Sequence, residues 1–296
     1  MSAFSRVCLI GFGEVGQILA DDLAKAGVKH VAAYDILFSK PDTIPSRAAA
    51  KRVAVRKASD ATSAVRDCEL VISAVTAASD LDAAKSVNAG IPSGAFYLDL
   101  NSASPGMKVK AARIVESAGG RYVEAAVMTP FPPKRIASPM LLGGPHAEAF
   151  LERATSLGFK GAEVFSRELG KASATKMCRS VMIKGIEALL MESMLAARHY
   201  GVEETVLASL SDLLPVGDWE KLARYMISRS VEHGVRRAEE MREVAHTVAE
   251  AGVAPLMSAA AAERADWAAN HKEALAHAAL AKMLDHVLKV IDRDRR

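Results

Sequence analysis

The stretch that most constrains this chain of 296 residues is Val7–Gly16, almost at its start. The uncharged run Val7–Ile10 is typical of a strand that is buried on both faces. Three glycines at G-x-G-x-x-G spacing come next. Gly11 permits a tight turn, and Gly13 leaves room beside the backbone. Gly16 lets the following helix lie close to the strand. The pattern therefore predicts a helix whose N-terminal N–H groups can face a phosphate.

An acidic residue lies where a second strand is expected to end. The apolar run Val31–Tyr34 leads into Asp35, which is 19 positions beyond Gly16. A carboxylate there can accept hydrogen bonds from the hydroxyls of an adenosine ribose, so the sequence predicts a dinucleotide cofactor. It also repels a 2′-phosphate, which favours NAD over NADP, although Lys40 and Arg47 lie close enough to moderate that preference. The alternative is a glycine-rich turn without a ligand.

Two further apolar runs, Glu69–Val75 and Ala95–Leu100, are predicted strands that end in small or polar residues. Ligands of parallel sheets bind beyond the carboxyl ends of the strands, so these ends are expected to share one cleft with the glycine turn. The predicted cofactor-binding residues come from all of these positions. They are Gly11, Phe12, Gly13, Glu14, Val15, Gly16, Asp35, Val75, Thr76 and Asn101.

The two parts of the chain differ in pattern. Strand-like and helix-like runs alternate in residues 1–167, which predicts an α/β domain with a doubly wound, mostly parallel sheet. No strand is evident in residues 168–296, which predicts an all-α domain. Its first helix, Glu168–Tyr200, is apolar on nearly every face of its central part, which favours burial all round. A homodimer is therefore expected, because a second copy can cover such a helix.

Composition argues against several classes of protein. The net charge is +3 and no block of lysine or arginine stands out, so nucleic acid is not an expected partner. No apolar run approaches the ~20 residues of a membrane span. The three cysteines, Cys8, Cys68 and Cys178, are far apart, and no cysteine or histidine spacing is typical of a metal site. A cytoplasmic protein with a small-molecule substrate fits these features.

Four segments resemble motifs of the β-hydroxyacid dehydrogenase superfamily, which includes 6-phosphogluconate and 3-hydroxyisobutyrate dehydrogenases. Gly11–Gly16 matches its dinucleotide motif, and Asp99–Pro105 is similar to its D-x-S-T-x-x-P motif. Arg121–Val127 resembles its strand ending in D-A-P-V. Gly170–Lys176 is similar to G-x-G-x-x-x-K, which carries the catalytic lysine. The resemblance implies a Rossmann domain followed by an all-helical domain, with Lys176 as that lysine.

The resemblance also implies a reaction. A hydride would pass between NAD or NADP and a small 3-hydroxy acid or related alcohol, with Lys176 as general base in oxidation and general acid in reduction. Ser102 would hold the substrate from the Rossmann side, and Ser180 would lie one helical turn beyond Lys176. Lys171 and Lys184 are interpreted as solvated lysines. Lys134 and Arg135 are likewise assigned to a solvated loop, and the helical histidines to the surface.

The sequence departs from the family pattern at four places. Ala172 replaces the second glycine of G-x-G-x-x-x-K. Ser180 replaces the usual asparagine, Met128–Pro133 replaces S-G-G, and Glu239–Glu240 replaces a K-D pair. Prolines lack the N–H groups that S-G-G would offer to a substrate carboxylate, so a different pocket is expected. An imine reductase on the same scaffold is one alternative, against which the lysine argues. A dinucleotide-binding regulator without turnover is the other, and the lost asparagine and S-G-G favour it.

Overall fold

A computed structural model describes residues 4–294, apart from the side chains of residues 212, 213 and 294. Eight strands form one sheet in the first part of the chain. They are β1 Arg6–Ile10, β2 His30–Tyr34, β3 Val55–Lys57, β4 Leu70–Ser73, β5 Phe96–Asp99, β6 Arg121–Val127, β7 Met140–Gly143 and β8 Ala162–Ser166. The strand β8 was not predicted, because its residues alternate between half-buried and exposed positions and lack an apolar run.

The strands follow the order β3-β2-β1-β4-β5-β6-β7-β8. Neighbouring strands are parallel except for β6 and β7, which are antiparallel. The order reverses between β1 and β4, so this fold places its ligand crevice at the carboxyl ends of those strands. We call the side of the sheet where β1, β2, β4, β5 and β6 end the carboxyl edge.

Seven α-helices and four short 3₁₀ helices accompany the sheet among residues 4–166. The α-helices are α1 Glu14–Lys25, α2 Ile44–Ala50, α3 Ala61–Val65, α4 Asp80–Val87, α5 Pro105–Ser117, α6 Phe131–Lys134 and α7 Ala147–Ala154. Alternate residues of β1 enter two different apolar clusters, Val7 and Leu9 in one and Cys8 and Ile10 in the other. The sheet is therefore buried on both faces, as the uncharged run predicted.

The remaining helices follow β8. They are α8 Lys171–Tyr200, α9 Glu203–Leu213, α10 Trp219–Glu250, α11 Leu256–Ala268 and α12 Leu280–Asp294. The predicted α/β region followed by an all-α region is confirmed. Two compact units divide the chain, Met1–Met177 and Cys178–Arg296. The first residues of α8 thus belong to the first unit, whereas the sequence places the boundary between residues 167 and 168.

Within the single chain, α8 has apolar residues that no other described element covers, since Met182 and Leu189 are 63% and 56% exposed. Burial of α8 on every side by a second copy stays a prediction. The range α10 contains a break at His233, whose φ of −116° and ψ of 17° are not helical, so two helical segments meet there. One helical histidine, His271, is buried instead of solvated. Local patterns identify helices but do not show which of their faces a tertiary neighbour covers.

Candidate functional site at the carboxyl edge

The glycine turn joins β1 to α1, and two of its glycines are required by the packing of the protein itself. Gly11 has a φ of +92°, and a Cβ there would lie 2.4 Å from the carbonyl oxygen of Ala74. A Cβ at Gly16 would lie 2.2 Å from the carbonyl oxygen of Gly11. Real side chains do not approach so closely, so these positions admit only glycine without a shift of the backbone.

Gly13 is different, because a Cβ built there would have no described atom within 4 Å apart from those of Gly13 and its two neighbours in the chain. Gly13 and Glu14 are exposed, and Gly13 is the N-cap residue of α1. The first N–H groups of a helix have no partner within the helix and carry a partial positive charge. An open space in front of them is what a pyrophosphate needs, so the turn fits the predicted dinucleotide.

Asp35 connects the end of β2 to the glycine turn. One carboxylate oxygen accepts a hydrogen bond from the backbone N–H of Phe12 at 2.7 Å, and the other accepts one from Leu37 at 2.9 Å. The ring of Phe12 is buried against Phe38, so only the backbone of Phe12 borders the turn. The carboxylate thereby stabilises the turn and also places a negative charge beside it.

Asn101 follows β5 and holds the loop after β4. Its Oδ1 accepts a hydrogen bond from the backbone N–H of Val75 at 2.7 Å. Its Nδ2 donates to Ser73 at 2.9 Å and to Asp80 at 2.8 Å. The residue is 4% exposed. These bonds engage both amide hydrogens, so the side chain fixes the backbone at Val75 while Thr76, the next residue, is exposed.

A buried ion pair lies beneath Asn101. Lys108 on α5 has its Nζ 2.6 Å from Asp99 and 3.9 Å from Asp80, and all three side chains are at most 1% exposed. The hydroxyl of Tyr122 donates to Asp99 at 2.5 Å. Burial, and then the charge of Asp99, raise the pKa of Asp80 to about 7. The burial of Lys108 was not predicted, because a lysine in an amphipathic helix is usually solvated.

The predicted pair Ser102 and Lys176 is brought together in the first unit. The Nζ of Lys176 donates to the Oγ of Ser102 at 2.6 Å, and both side chains are half-buried. Ser102 lies just beyond the end of β5, and Lys176 lies in the second turn of α8. An amine and a hydroxyl in contact can exchange hydrogen bonds with one substrate oxygen, which is the arrangement that general acid–base chemistry needs.

Glu124 on β6 caps the start of α8. Its carboxylate oxygens accept hydrogen bonds from the backbone N–H groups of Gly170 at 2.6 Å and Ser173 at 2.5 Å. The side chain is fully buried. This role of Glu124 was not predicted, because its partners lie more than 40 residues away in the chain.

Ser180 lies in the second unit, four residues beyond Lys176 on α8. Its Oγ accepts a hydrogen bond from Lys184 at 3.3 Å. Lys184 also forms an ion pair with Glu240 at 2.7 Å, and these two side chains are 14% and 17% exposed. The interpretation of Lys184 as a solvated lysine is therefore wrong. Lys171 is solvated as interpreted, since its side chain is 60% exposed.

The proline-rich segment after β6 packs on α1. Arg135 has a φ of +55°, which is rare for a residue with a side chain. Its guanidinium lies 2.8 Å from the carboxylate of Asp22 on α1, and the backbone N–H of Ile136 also donates to Asp22 at 3.2 Å. The assignment of Arg135 to a solvated loop is wrong, whereas Lys134 is exposed.

A mostly parallel sheet with this strand order, a glycine turn at its switch point and an acidic residue that follows β2 define a dinucleotide-binding domain. Residues 6–157 match the family described as the NAD binding domain of 6-phosphogluconate dehydrogenase. Residues 197–268 match a domain of unknown function. The chain belongs to the β-hydroxyacid dehydrogenase superfamily, as the four motifs predicted.

Similar proteins span nearly the whole chain. A conserved hypothetical protein from Sinorhizobium meliloti is 33% identical, with a TM-score of 0.76 and coverage of 98% of this chain and 97% of its own. An uncharacterized 28.5 kDa protein of Methanothermus fervidus is 27% identical over 85% of this chain and 94% of its own. The 3-hydroxyisobutyrate dehydrogenase of Mycobacterium tuberculosis is 20% identical, with a TM-score of 0.70 and coverage of 97% and 99%. The last likeness establishes the fold.

In the part of the chain that the structure describes, every helix is too short or too polar to cross a membrane. The cytoplasmic location and the absence of a nucleic-acid partner stay predictions of the sequence.

Proposed function

We propose that this chain is an NAD(P)-dependent oxidoreductase that transfers a hydride between the nicotinamide and a small 3-hydroxy acid or related alcohol. The observation that carries the proposal is the hydrogen bond from Lys176 to Ser102, 2.6 Å long. It lies just beyond the end of β5, on the carboxyl edge that also bears the glycine turn. Membership in the superfamily supports the same reaction.

In the proposed mechanism the dinucleotide, when bound, supplies the carbon that accepts or gives the hydride. The chain supplies the proton chemistry. In alcohol oxidation the neutral amine of Lys176 takes the hydroxyl proton, and in reduction the ammonium returns it to the same oxygen. Ser102 orients that oxygen through its hydroxyl. Ser180 is proposed to contact a second polar group of the substrate, with a shorter reach than the asparagine of the family pattern.

For the cofactor we propose NAD in preference to NADP. Gly13 and the first turn of α1 would hold the pyrophosphate, and Asp35 would accept from the ribose hydroxyls beside them. The carboxylate of Asp35 is fixed by two backbone N–H groups, so it cannot easily move away from a 2′-phosphate. The residues Phe12, Val15, Val75, Thr76 and Asn101 would shape the rest of the cleft, mainly through their backbone.

Two alternative functions, an imine reductase and a regulator without turnover, lead to different predictions. An imine reductase needs no lysine that gives a proton to an oxygen, so the contact between Lys176 and Ser102 argues against it. A regulator that binds the dinucleotide without turnover is favoured by Ser180 and by the proline-rich segment, which depart from the family pattern. It predicts cofactor binding with no reaction on any hydroxy acid.

The test has two stages. Fluorescence titration with NADH and NADPH measures which dinucleotide binds, and a set of 3-hydroxy acids then measures turnover. Lys176→Ala is expected to bind the cofactor normally and to lose at least ~100-fold in kcat, since general acid–base groups contribute ~10²–10⁴-fold. Lys171→Ala is the matched control, because Lys171 is an exposed lysine at the start of the same helix.

The possible outcomes distinguish the proposed dehydrogenase from its two alternatives. Equal rates for Lys176→Ala and the original chain would remove Lys176 from the mechanism. Cofactor binding without turnover on alcohols would favour the regulator, and turnover on imines alone would favour the reductase. Tighter binding of NADPH than of NADH would contradict the preference assigned to Asp35.

A further inference from the structure

We propose that Glu124 is a positioning residue that sets the place of the Lys176 amine by anchoring the first turn of α8. The inference rests on the proposed role of Lys176. The carboxylate of Glu124 accepts hydrogen bonds from the backbone at the start of α8, so it would act through the helix that carries the amine. Family motifs gave Glu124 no part in the chemistry.

The contacts of Glu124 are suited to this task. Its two oxygens accept from Gly170 and Ser173, on either side of the point where α8 begins. Hydrogen bonds to a carboxylate are stronger than those between neutral groups, and a negative charge at a helix N-terminus is stabilised by the helix dipole. Lys176 follows Ser173 by three residues, less than one helical turn. A displacement of the first turn of α8 would therefore move the Lys176 amine by a similar distance.

The strand register places Glu124 beside the residue that fixes the other partner. Asp99 on β5 pairs with Glu124 on β6, and adjacent strands are ~4.8 Å apart. Asp99 accepts a hydrogen bond from the backbone N–H of Asn101 at 2.9 Å, immediately before Ser102. One carboxylate thus holds the loop that carries Ser102, and its neighbour holds the helix that carries Lys176. Together the two strand positions set the distance between amine and hydroxyl.

The surroundings of Glu124 leave it little freedom. A Cβ at Gly143 on β7 would lie 2.7 Å from its Oε2, so the neighbouring strand needs glycine at that position. Gly170 has a φ of +90°, which turns its N–H toward the carboxylate before the helix starts. The ammonium of Lys108 also lies within electrostatic reach of Glu124. Closely packed atoms on several sides make the carboxylate a rigid anchor.

The experiment compares two substitutions of Glu124, one that removes the charge and one that shortens the side chain. Glu124→Gln keeps the length of the side chain but loses the charge, and one of its terminal groups becomes a donor facing N–H groups. Glu124→Asp keeps the charge but is one methylene too short. Both variants are expected to lower kcat by about 10- to 100-fold, the effect of a misplacement of about 1 Å. The KM for the dinucleotide should stay within about twofold, because the glycine turn is untouched.

A second measurement works without turnover. Competitive acetylation with acetic anhydride, read by mass spectrometry, compares the reactivity of Lys176 with that of the exposed Lys110 in the same sample. In Glu124→Gln the ratio should rise at least ~3-fold, the small end of what the loss of one hydrogen bond produces. Ser102→Ala should raise the ratio as well, which shows that the assay detects the contact. Glu163→Gln, an exposed acid on β8, should leave both the ratio and kcat unchanged.

The outcomes separate this inference from the proposed function. A raised labelling ratio in a protein that turns over no hydroxy acid would support the anchor and contradict the dehydrogenase. Normal turnover with an unchanged ratio and unchanged kcat in both Glu124 variants would overturn the anchor alone. If Glu124→Gln does not fold, hydrogen exchange of the Gly170–Ser173 amides in Glu124→Asp decides, and exchange as slow as in the original chain would refute the inference.

Discussion

At the scale of single residues, the carboxyl edge depends on side chains that lie beneath its surface. Lys108 faces Asp99 and Asp80, and all three side chains are at most 1% exposed. Breaking a buried ion pair leaves an uncompensated charge, which costs several kcal/mol. Asn101 extends the network to the backbone of Val75. The shape of the surface cleft therefore depends on Lys108, Asp99 and Asp80, whose buried side chains would not contact a ligand.

The buried cluster predicts a dependence of stability on pH. The pKa of Asp80 is about 7 in the folded chain, above its ordinary value of 3.8. The folded state thus keeps a proton that the unfolded chain has already lost, and this contribution to stability disappears as the pH rises through about 7. Between pH 5.5 and pH 8 the expected loss is about 2 kcal/mol. Urea unfolding at several pH values measures it.

Asp80→Asn should flatten that dependence, because the amide does not titrate and can still accept from Asn101. Asp82→Asn is the control two residues further on α4, where the side chain is 81% exposed. The control should keep the original slope. Identical slopes in all three proteins would show that Asp80 is ionised throughout this range.

At the scale of elements, two glycines of the turn have different roles. Gly11 is required by the fold, whereas Gly13 leaves space for a ligand. Gly11→Ala is expected to destabilise the protein by more than ~2 kcal/mol, because it combines a positive φ with an overlap on Ala74. Gly13→Ala should change stability by less than ~0.5 kcal/mol, since its methyl group enters open space. The same methyl group should weaken NADH binding at least ~10-fold by displacing the pyrophosphate.

Thermal unfolding and NADH titration on the two variants provide the measurement. Unchanged NADH affinity in Gly13→Ala would mean that the dinucleotide does not approach this turn, and the cofactor site would have to be sought elsewhere.

Sequence predicted the elements whose signals are local. The helix α5, Pro105–Ser117, has such a local signal, because a proline fits the first turn of a helix. Ser102 and Lys176 were named through motifs on two distant segments, and the structure brings their side chains into contact. Glu124, Lys108 and the ion pair of Lys184 were not foreseen, since their partners are set by strand register and helix packing. The sequence alone does not distinguish a solvated charged side chain from a buried one.

At the scale of the whole molecule, the helical unit presents apolar side chains that the chain itself does not cover. Met182 and Leu189 are exposed and lie seven residues apart on α8, close to one face of the helix. We expect a homodimer that covers this face. Leu189→Glu should shift the protein to monomers, because a charge in the centre of an apolar interface is strongly unfavourable.

Sedimentation velocity measures the shift over a range of concentrations. Val53→Glu is the matched control, because Val53 is a fully exposed apolar residue in the first unit. A monomeric original chain, or a dimer that persists in Leu189→Glu, would contradict the predicted interface.

The border of the sheet at β3 restricts how copies of this chain can associate. The outermost strand β3 is only three residues long, and two of them are Arg56 and Lys57. Charged, short border strands discourage a neighbouring molecule from adding its own strand. Open-ended growth into fibres is thereby disfavoured at that border, and self-association is left to side-chain packing, which can stop at two copies.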